Sequence, residues 1–135
     1  LEVIAITGAR FSDNATWDRY ESRYDLAIAG LERDRAELHA RIDARVDAML
    51  AAGLAGEAER VRRAGAGRTA AQALGYRQIY AGEGAGEIAR ATRRFARRQL
   101  SWFKADPRVT WFDASAPALA QRLVAFFRDA LALPW

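Results

Sequence analysis

The sequence predicts an α/β chain that is predominantly helical in this stretch, and three observations predict it. Two short segments have strand character, Tyr24 to Leu31 and Arg108 to Phe112, and they stand far apart. Between them Leu38, Ile42, Val46, Met49 and Leu50 recur at the three-four spacing of a helix face. Glycine punctuation at Gly53, at Gly65 to Gly67 and at Gly82 to Gly86 then divides the middle of the chain into successive helices.

Taken in order, Leu1 to Thr7 reads as the end of a helix, with Gly8 as its left-handed cap. No N-cap precedes it and Leu1 is not a methionine, so the expectation is the C-terminal piece of a longer protein. Arg10 to Glu21 is polar and aperiodic, a loop that Trp17 and Tyr20 pin to a core. Tyr24 to Leu31 is a short buried strand carrying Leu26, Ile28 and Gly30. Asp34 and Glu37 form an Asp-x-x-Glu capping box, and the helix it opens runs to about Ala52. A second helix spans Leu54 to Arg63, and Thr69 caps a third from Ala70 to about Ala81. A fourth covers Glu87 to Phe103. Arg108 to Phe112 alternates as a strand, and Pro117 opens a last helix ending near Leu131.

The 135 residues, 51% of them hydrophobic, suit one globular domain or most of one. Net charge is only +4, yet the pI is about 10.1, a balance that favours an anionic partner. All but one of the 21 basic residues are arginine. Arginine suits bidentate phosphate contacts, and the abundant alanine points equally to a GC-rich codon bias. The absence of cysteine excludes disulfides and thiolate metal sites, and His39 alone cannot build a metal centre. No apolar run is long enough to span a bilayer and no signal peptide is visible, so a cytoplasmic location is expected.

The basic excess is local. Arg90, Arg93, Arg94, Arg97, Arg98 and Lys104 lie in one helical segment with no acid among them, and Phe95, Trp102 and Phe103 are interleaved. At 100° per residue, Ile88, Ala91, Phe95, Ala96, Trp102 and Phe103 fall in one arc, the anchoring face. Arg90, Arg93, Arg97, Ser101 and Lys104 lie opposite, with Arg94 and Arg98 at the edge. Thr92 and Gln99 are polar residues inside the apolar arc. Each must find a partner or stay wet, which makes Gln99 a candidate contact or a side chain bonded to nearby backbone.

Arg45 stands at the edge of the Leu38–Leu50 stripe, one turn beyond Arg41. A guanidinium there either pairs with a buried acid or points into an anion site. Asp43 and Asp47 lie far round the helix and are poor partners for it. His39 lies to one side of the stripe, as an ordinary partly exposed histidine. Gly75 sits inside a helical pattern at about 1 kcal/mol relative to alanine, for close approach of another backbone or for tight helix packing.

Together these segments resemble the C-terminal part of bacterial tRNA dimethylallyltransferases, also called tRNA isopentenyltransferases. The matching pieces are Leu1-Glu2-Val3 with Thr7-Gly8, Leu38 to Leu50 as L-x-x-R-I-x-x-R-V-x-x-M-L, and Gly53-Leu54 with Glu57. They continue through Thr69-Ala70-x-Gln72-Ala73-Leu74-Gly75-Tyr76-Arg77-Gln78, Ala91 to Lys104, and Val109 to Asp113. Each motif alone is weak; the ordered set covers nearly the whole chain and is specific.

The resemblance implies the C-terminal section of a catalytic core with a P-loop-type parallel sheet, spanning residues 1–135. The activity it implies moves a dimethylallyl group from its diphosphate to the exocyclic amine of the adenosine 3′-adjacent to the tRNA anticodon. It places Arg45 on the diphosphate. It gives Gln72, Ala73, Leu74, Gly75, Tyr76 and Arg77 to one tRNA-contacting segment, although the family often has another residue at Gln72. Arg97, Arg98, Gln99 and Leu100, continuing through Ser101, Trp102, Phe103 and Lys104, form the second. Lysine is common in the family at Arg97, threonine at Ser101 and arginine at Lys104, changes that keep the donors. The implied partners are a tRNA anticodon stem-loop and dimethylallyl diphosphate, with no membrane, for a monomer. Such chemistry needs the target base out of its stack and the leaving diphosphate stabilised by arginine and Mg²⁺.

The sequence has no G-x-x-x-x-G-K-[ST] pattern. The family's phosphate loop, catalytic aspartate and inserted anticodon domain would precede Leu1, so no catalytic residue and no Mg²⁺ ligand is expected within these residues. By themselves they are expected to be inactive. The alternative is a non-catalytic helical RNA- or DNA-binding module, which explains the basic helix but not Arg45 or the ordered motifs. A structural helical domain with an arginine-rich surface is a third reading.

Overall fold

A computed structural model of the chain describes Gly8, Ser22, residues 24–65 and residues 67–132. The expected helix end at Leu1 to Thr7 and the loop with Trp17 and Tyr20 lie outside the described residues. Gly8 itself has the left-handed backbone expected of it, with φ +68°. The elements are strand β1 (Ile28–Glu32), helices α1 (Arg35–Ala51), α2 (Leu54–Arg63), α3 (Arg68–Ala71), α4 (Tyr76–Tyr80) and α5 (Ala85–Lys104), strand β2 (Val109–Asp113) and helix α6 (Leu119–Leu131). They fall into two compact units, one running from Glu32 to Phe103 and the other built from the residues up to Leu31 with those from Lys104 onward.

In the second of these units β1 and β2 pair in parallel. A parallel pair needs a long crossover, and the helical stretch from α1 to α5 is that connection. Sequence placed the first strand at Tyr24 to Leu31, but it begins at Ile28, because a five-residue partner limits the ladder to five residues. Nor is it a buried strand: Ile28 to Gly30 are half-buried, and Tyr24, Leu26 and Leu31 are exposed. Gly30 has a steric reason to be glycine. A Cβ there would stand 2.7 Å from Cε3 of Trp111 and 2.7 Å from Cγ1 of Val109.

After β2, Asp113 closes a turn by accepting the Ser115 amide at 2.7 Å through its side chain. Pro117 falls in this turn and does not open the helix. Ala118, with φ +54°, interrupts the backbone between the proline and the first helical residue, Leu119. Helix α6 sets Phe126 edge-on to Phe112, with centroids 5.3 Å apart, and Arg122 over the Phe112 ring.

The helical unit begins at Asp34, whose carboxylate accepts the amides of Ala36 at 2.8 Å and Glu37 at 3.0 Å. The Glu37 carboxylate in turn takes Arg33 and Arg41. Gly53, with φ +96°, turns the chain out of α1 and into α2. Ile42 and Val46 of α1 pack with Ile88 and Ala89 of α5. Leu38, Met49, Leu50, Leu54 and Ile79 surround them. Val46 and Ile88 are fully buried, each contributing about 1.5–3 kcal/mol of apolar transfer.

The helix expected from Ala70 to Ala81 is instead two short helices, and Thr69 does not cap the first, which starts after Gly67. The break lies at Gly75, whose φ of +99° is left-handed. Only glycine enters that region without strain, so Gly75 serves a turn and not the interior of a helix.

Candidate nucleic-acid interface

The basic helix α5 has 20 residues and two different halves. Its first half is anchored through Ile88, Ala89 and Ala91, all buried. Ala96 is the last residue of the helix packed against the core. From Arg97 to Lys104 every residue is exposed. Phe95 (45% exposed), Phe103 (42%) and Trp102 (61%) therefore do not anchor the helix, contrary to the reading of the wheel. A wheel gives direction around the axis, whereas burial also needs a neighbour at that height. Among the described residues, Ile42 and Val46 of α1 meet the first half of α5, at Ile88 and Ala89.

The cationic face is also smaller than its sequence. Arg93 bonds to the Asp43 carboxylate on α1, a pair spanning 50 residues. Among the described residues no carboxylate pairs with Arg90, Arg94, Arg97 or Arg98. Between Glu87 and Asp106 the sequence has no acid at all. Arg98 lies 5.9 Å from the Phe95 ring centroid. Trp102 and Phe103 meet edge to face at 4.8 Å, and Lys104 lies 5.5 Å from the Trp111 ring. The two polar residues of the arc resolve differently. The Thr92 hydroxyl donates to the Ile88 carbonyl at 2.8 Å, while Gln99 is exposed and wet.

The segment from Gln72 to Arg77 forms the turn into α4. Gln72, Ala73, Leu74 and Arg77 are exposed, Tyr76 is half-buried and Gly75 is buried. The Gly75 amide donates to Oε1 of Gln78 at 3.0 Å, and Gln78 is only 4% exposed. The Tyr76 hydroxyl donates to the Glu57 carboxylate on α2, which pushes the phenol above its ordinary value. One turn on, the Tyr80 hydroxyl donates to the Ala58 carbonyl at 2.8 Å. These tyrosine ties, and the Arg93–Asp43 pair, were missed from sequence. Their partners are separated by 19 to 50 residues, beyond any local pattern.

Arg45 is exposed on α1, with no hydrogen-bond or ion-pair partner among the described residues. His39 is half-buried, as expected. An open cleft of about 240 Å³ is lined by Asp43, Val46, Asp47, Ala85, Gly86, Ala89 and Arg93. It contains none of the residues that sequence assigns to a ligand. No group of three or more His, Cys, Asp or Glu side chains converges among the described residues.

Acid-free arginines interleaved with exposed rings are chemically suited to an unstacked RNA. The sequence profile described as IPP transferase matches residues 1–106. The chain belongs to that family. A tRNA dimethylallyltransferase of Thermobifida fusca is 50% identical over 135 residues, 93% of this chain and 42% of that protein. One from Saccharopolyspora erythraea is 46% identical over 130 residues, covering 89% of this chain and again 42% of the relative. The match falls on the C-terminal part of these relatives. Among solved structures, the tRNA isopentenylpyrophosphate transferase of Bacillus halodurans aligns at TM-score 0.71 with 32% identity, over 82% of this chain and 40% of that one. The Staphylococcus epidermidis enzyme aligns at TM-score 0.72 with 27% identity, over 98% of this chain and 46% of that one. The architecture is thus a mostly helical C-terminal part of an α/β enzyme.

Proposed function

We propose that this chain is the tRNA-gripping C-terminal section of an enzyme that prenylates tRNA. The reaction transfers a dimethylallyl group from dimethylallyl diphosphate to the exocyclic amine of the adenosine 3′-adjacent to the anticodon. The observation that carries this reading is the exposed, acid-free stretch from Arg97 to Lys104, set beside the family membership. Arginines there neutralise phosphates, and Trp102 and Phe103 offer faces to splayed bases. The turn from Gln72 to Arg77 is the second RNA contact. Arg45, exposed on α1, takes the diphosphate of the donor and stabilises it as it leaves. Mg²⁺ would add charge neutralisation at that diphosphate. We place none of its ligands on these residues, and the catalytic base is likewise assigned to none of them. The 135 residues alone are expected to transfer no prenyl group. The enzyme acts as a monomer in the cytoplasm; no helix of the described residues is long and apolar enough to cross a membrane.

The test separates the two substrates. In the full-length enzyme, Arg97→Ala with Arg98→Ala raises the Kd for an anticodon stem-loop and leaves donor binding unchanged. Arg45→Ala does the reverse. Should both variants lose only thermal stability, a purely structural role for these arginines replaces the proposal.

A further inference from the structure

Glu57 lies in neither segment given to tRNA, and it is an acid beside one of them. An acid next to an RNA-contacting surface opposes binding by simple charge. It is exposed, so core packing does not account for it. What its carboxylate does is accept the Tyr76 hydroxyl across 19 residues of chain. Two further ties act on the same turn. Gln78 accepts the Gly75 amide at 3.0 Å in a buried position, and Tyr80 bonds to the Ala58 carbonyl at 2.8 Å. Between them Gly75 is fixed at φ +99°, with Leu54 3.7 Å from where its Cβ would stand. The outcome is a hydrogen-bonded turn that carries two outward groups, Leu74 (44% exposed) and Arg77. Ties of that kind lower the ordering entropy that a flexible turn would lose on meeting RNA.

We propose that Glu57 is a positioning residue for tRNA: through the Tyr76 hydroxyl it holds the 74–77 turn in its RNA-receptive shape. The proposal rests on the reading that residues 72–77 contact tRNA. Its signature is an effect of opposite sign to electrostatics, since deleting the acid weakens RNA binding.

The experiment measures KM for an anticodon stem-loop and, separately, for dimethylallyl diphosphate in the full-length enzyme. Glu57→Ala raises the RNA KM about five-fold, the effect of one lost hydrogen bond, and leaves the donor KM unchanged. Glu57→Gln, which keeps an acceptor but loses the charge, returns the RNA KM to the parent value or below. Tyr76→Phe raises the RNA KM at least as much as Glu57→Ala, since it keeps the opposing charge, and the double variant is no worse than either single one. Arg77→Ala raises the RNA KM whether or not Glu57 is present, which checks the underlying reading. An unchanged or lowered RNA KM in Glu57→Ala, with Arg77→Ala still defective, overturns the positioning role and spares the contact. An Arg77→Ala enzyme with normal RNA KM overturns the contact itself. Equal losses for both substrates in Glu57→Ala assign the residue to stability alone and also overturn the proposal. Where Glu57→Ala does not fold, Tyr76→Phe and Glu57→Gln decide: a normal RNA KM in the first, or a raised one in the second, overturns it.

Discussion

Asp34 shows how much one residue can settle locally. Its carboxylate caps α1, and the Glu37 amide, with those of Ala36 and Arg35 adding to it, holds its pKa below the ordinary 3.8. A depressed folded pKa means that the cap contributes stability above the unfolded value and loses it as pH falls through the folded one. Asp34→Ala is therefore expected to lower the thermal midpoint at neutral pH. The gap to the parent protein closes as the melts are taken well below the ordinary 3.8, through the depressed folded value. A gap that stays constant with pH would show that the carboxylate contributes no cap. This residue was legible in the sequence because its partners are two and three residues away. The Arg93–Asp43 pair was not, because no spacing rule links residues on different helices.

At the scale of elements, the glycines separate what the sequence reveals from what it hides. Gly53 ends a helix where the pattern also ends, so α1 and α2 were read almost to the residue. Gly75 interrupts a stretch whose composition remains helical on both sides, and only its positive φ discloses the break. Gly75→Ala places a Cβ in left-handed backbone and is expected to destabilise by about 1–2 kcal/mol, measured as a lower denaturant midpoint at constant slope. Gly30→Ala acts by a different route, since its backbone is ordinary and the obstacles are the Trp111 ring and Cγ1 of Val109. Overpacking of that kind costs about 1–3 kcal/mol. Trp111→Leu in the Gly30→Ala background should recover part of the loss, whereas it should recover nothing in Gly75→Ala. Full additivity of Gly30→Ala and Trp111→Leu would exclude the clash. The wheel of α5 failed for a related reason: periodicity assigned Phe95, Trp102 and Phe103 to one face correctly but could not say where the core ends along the helix.

For the whole molecule, a modest net charge of +4 conceals a strongly polarised distribution. Binding through a few local arginines has a measurable consequence in salt. If Arg97 and Arg98 each neutralise one phosphate, removing both lowers the slope of log affinity against log salt by about 1.4 on single-stranded RNA. An unchanged slope in the Arg97→Ala, Arg98→Ala enzyme would place the phosphate contacts elsewhere. Arg45→Ala should leave that slope as it is, since Arg45 is proposed to hold the donor and not the RNA. Family membership was legible in the order of weak motifs, none of which would have identified it alone. The division into two compact units was not legible, because no linker composition marks either Leu31 or Phe103.

The partly exposed rings at the end of α5 also affect how the protein behaves in a tube. Exposed rings such as Trp102 and Phe103 favour association between copies, and the neighbouring guanidinium groups oppose it by mutual repulsion. That repulsion reaches about 10 Å in 0.1 M salt but only about 3 Å at 1 M. Concentrated salt, the usual remedy for stripping bound RNA during purification, thus removes the colloidal protection at the same moment. Light scattering of RNA-free protein should rise with ionic strength, and adding a stem-loop at moderate salt should reverse it by covering the same surface.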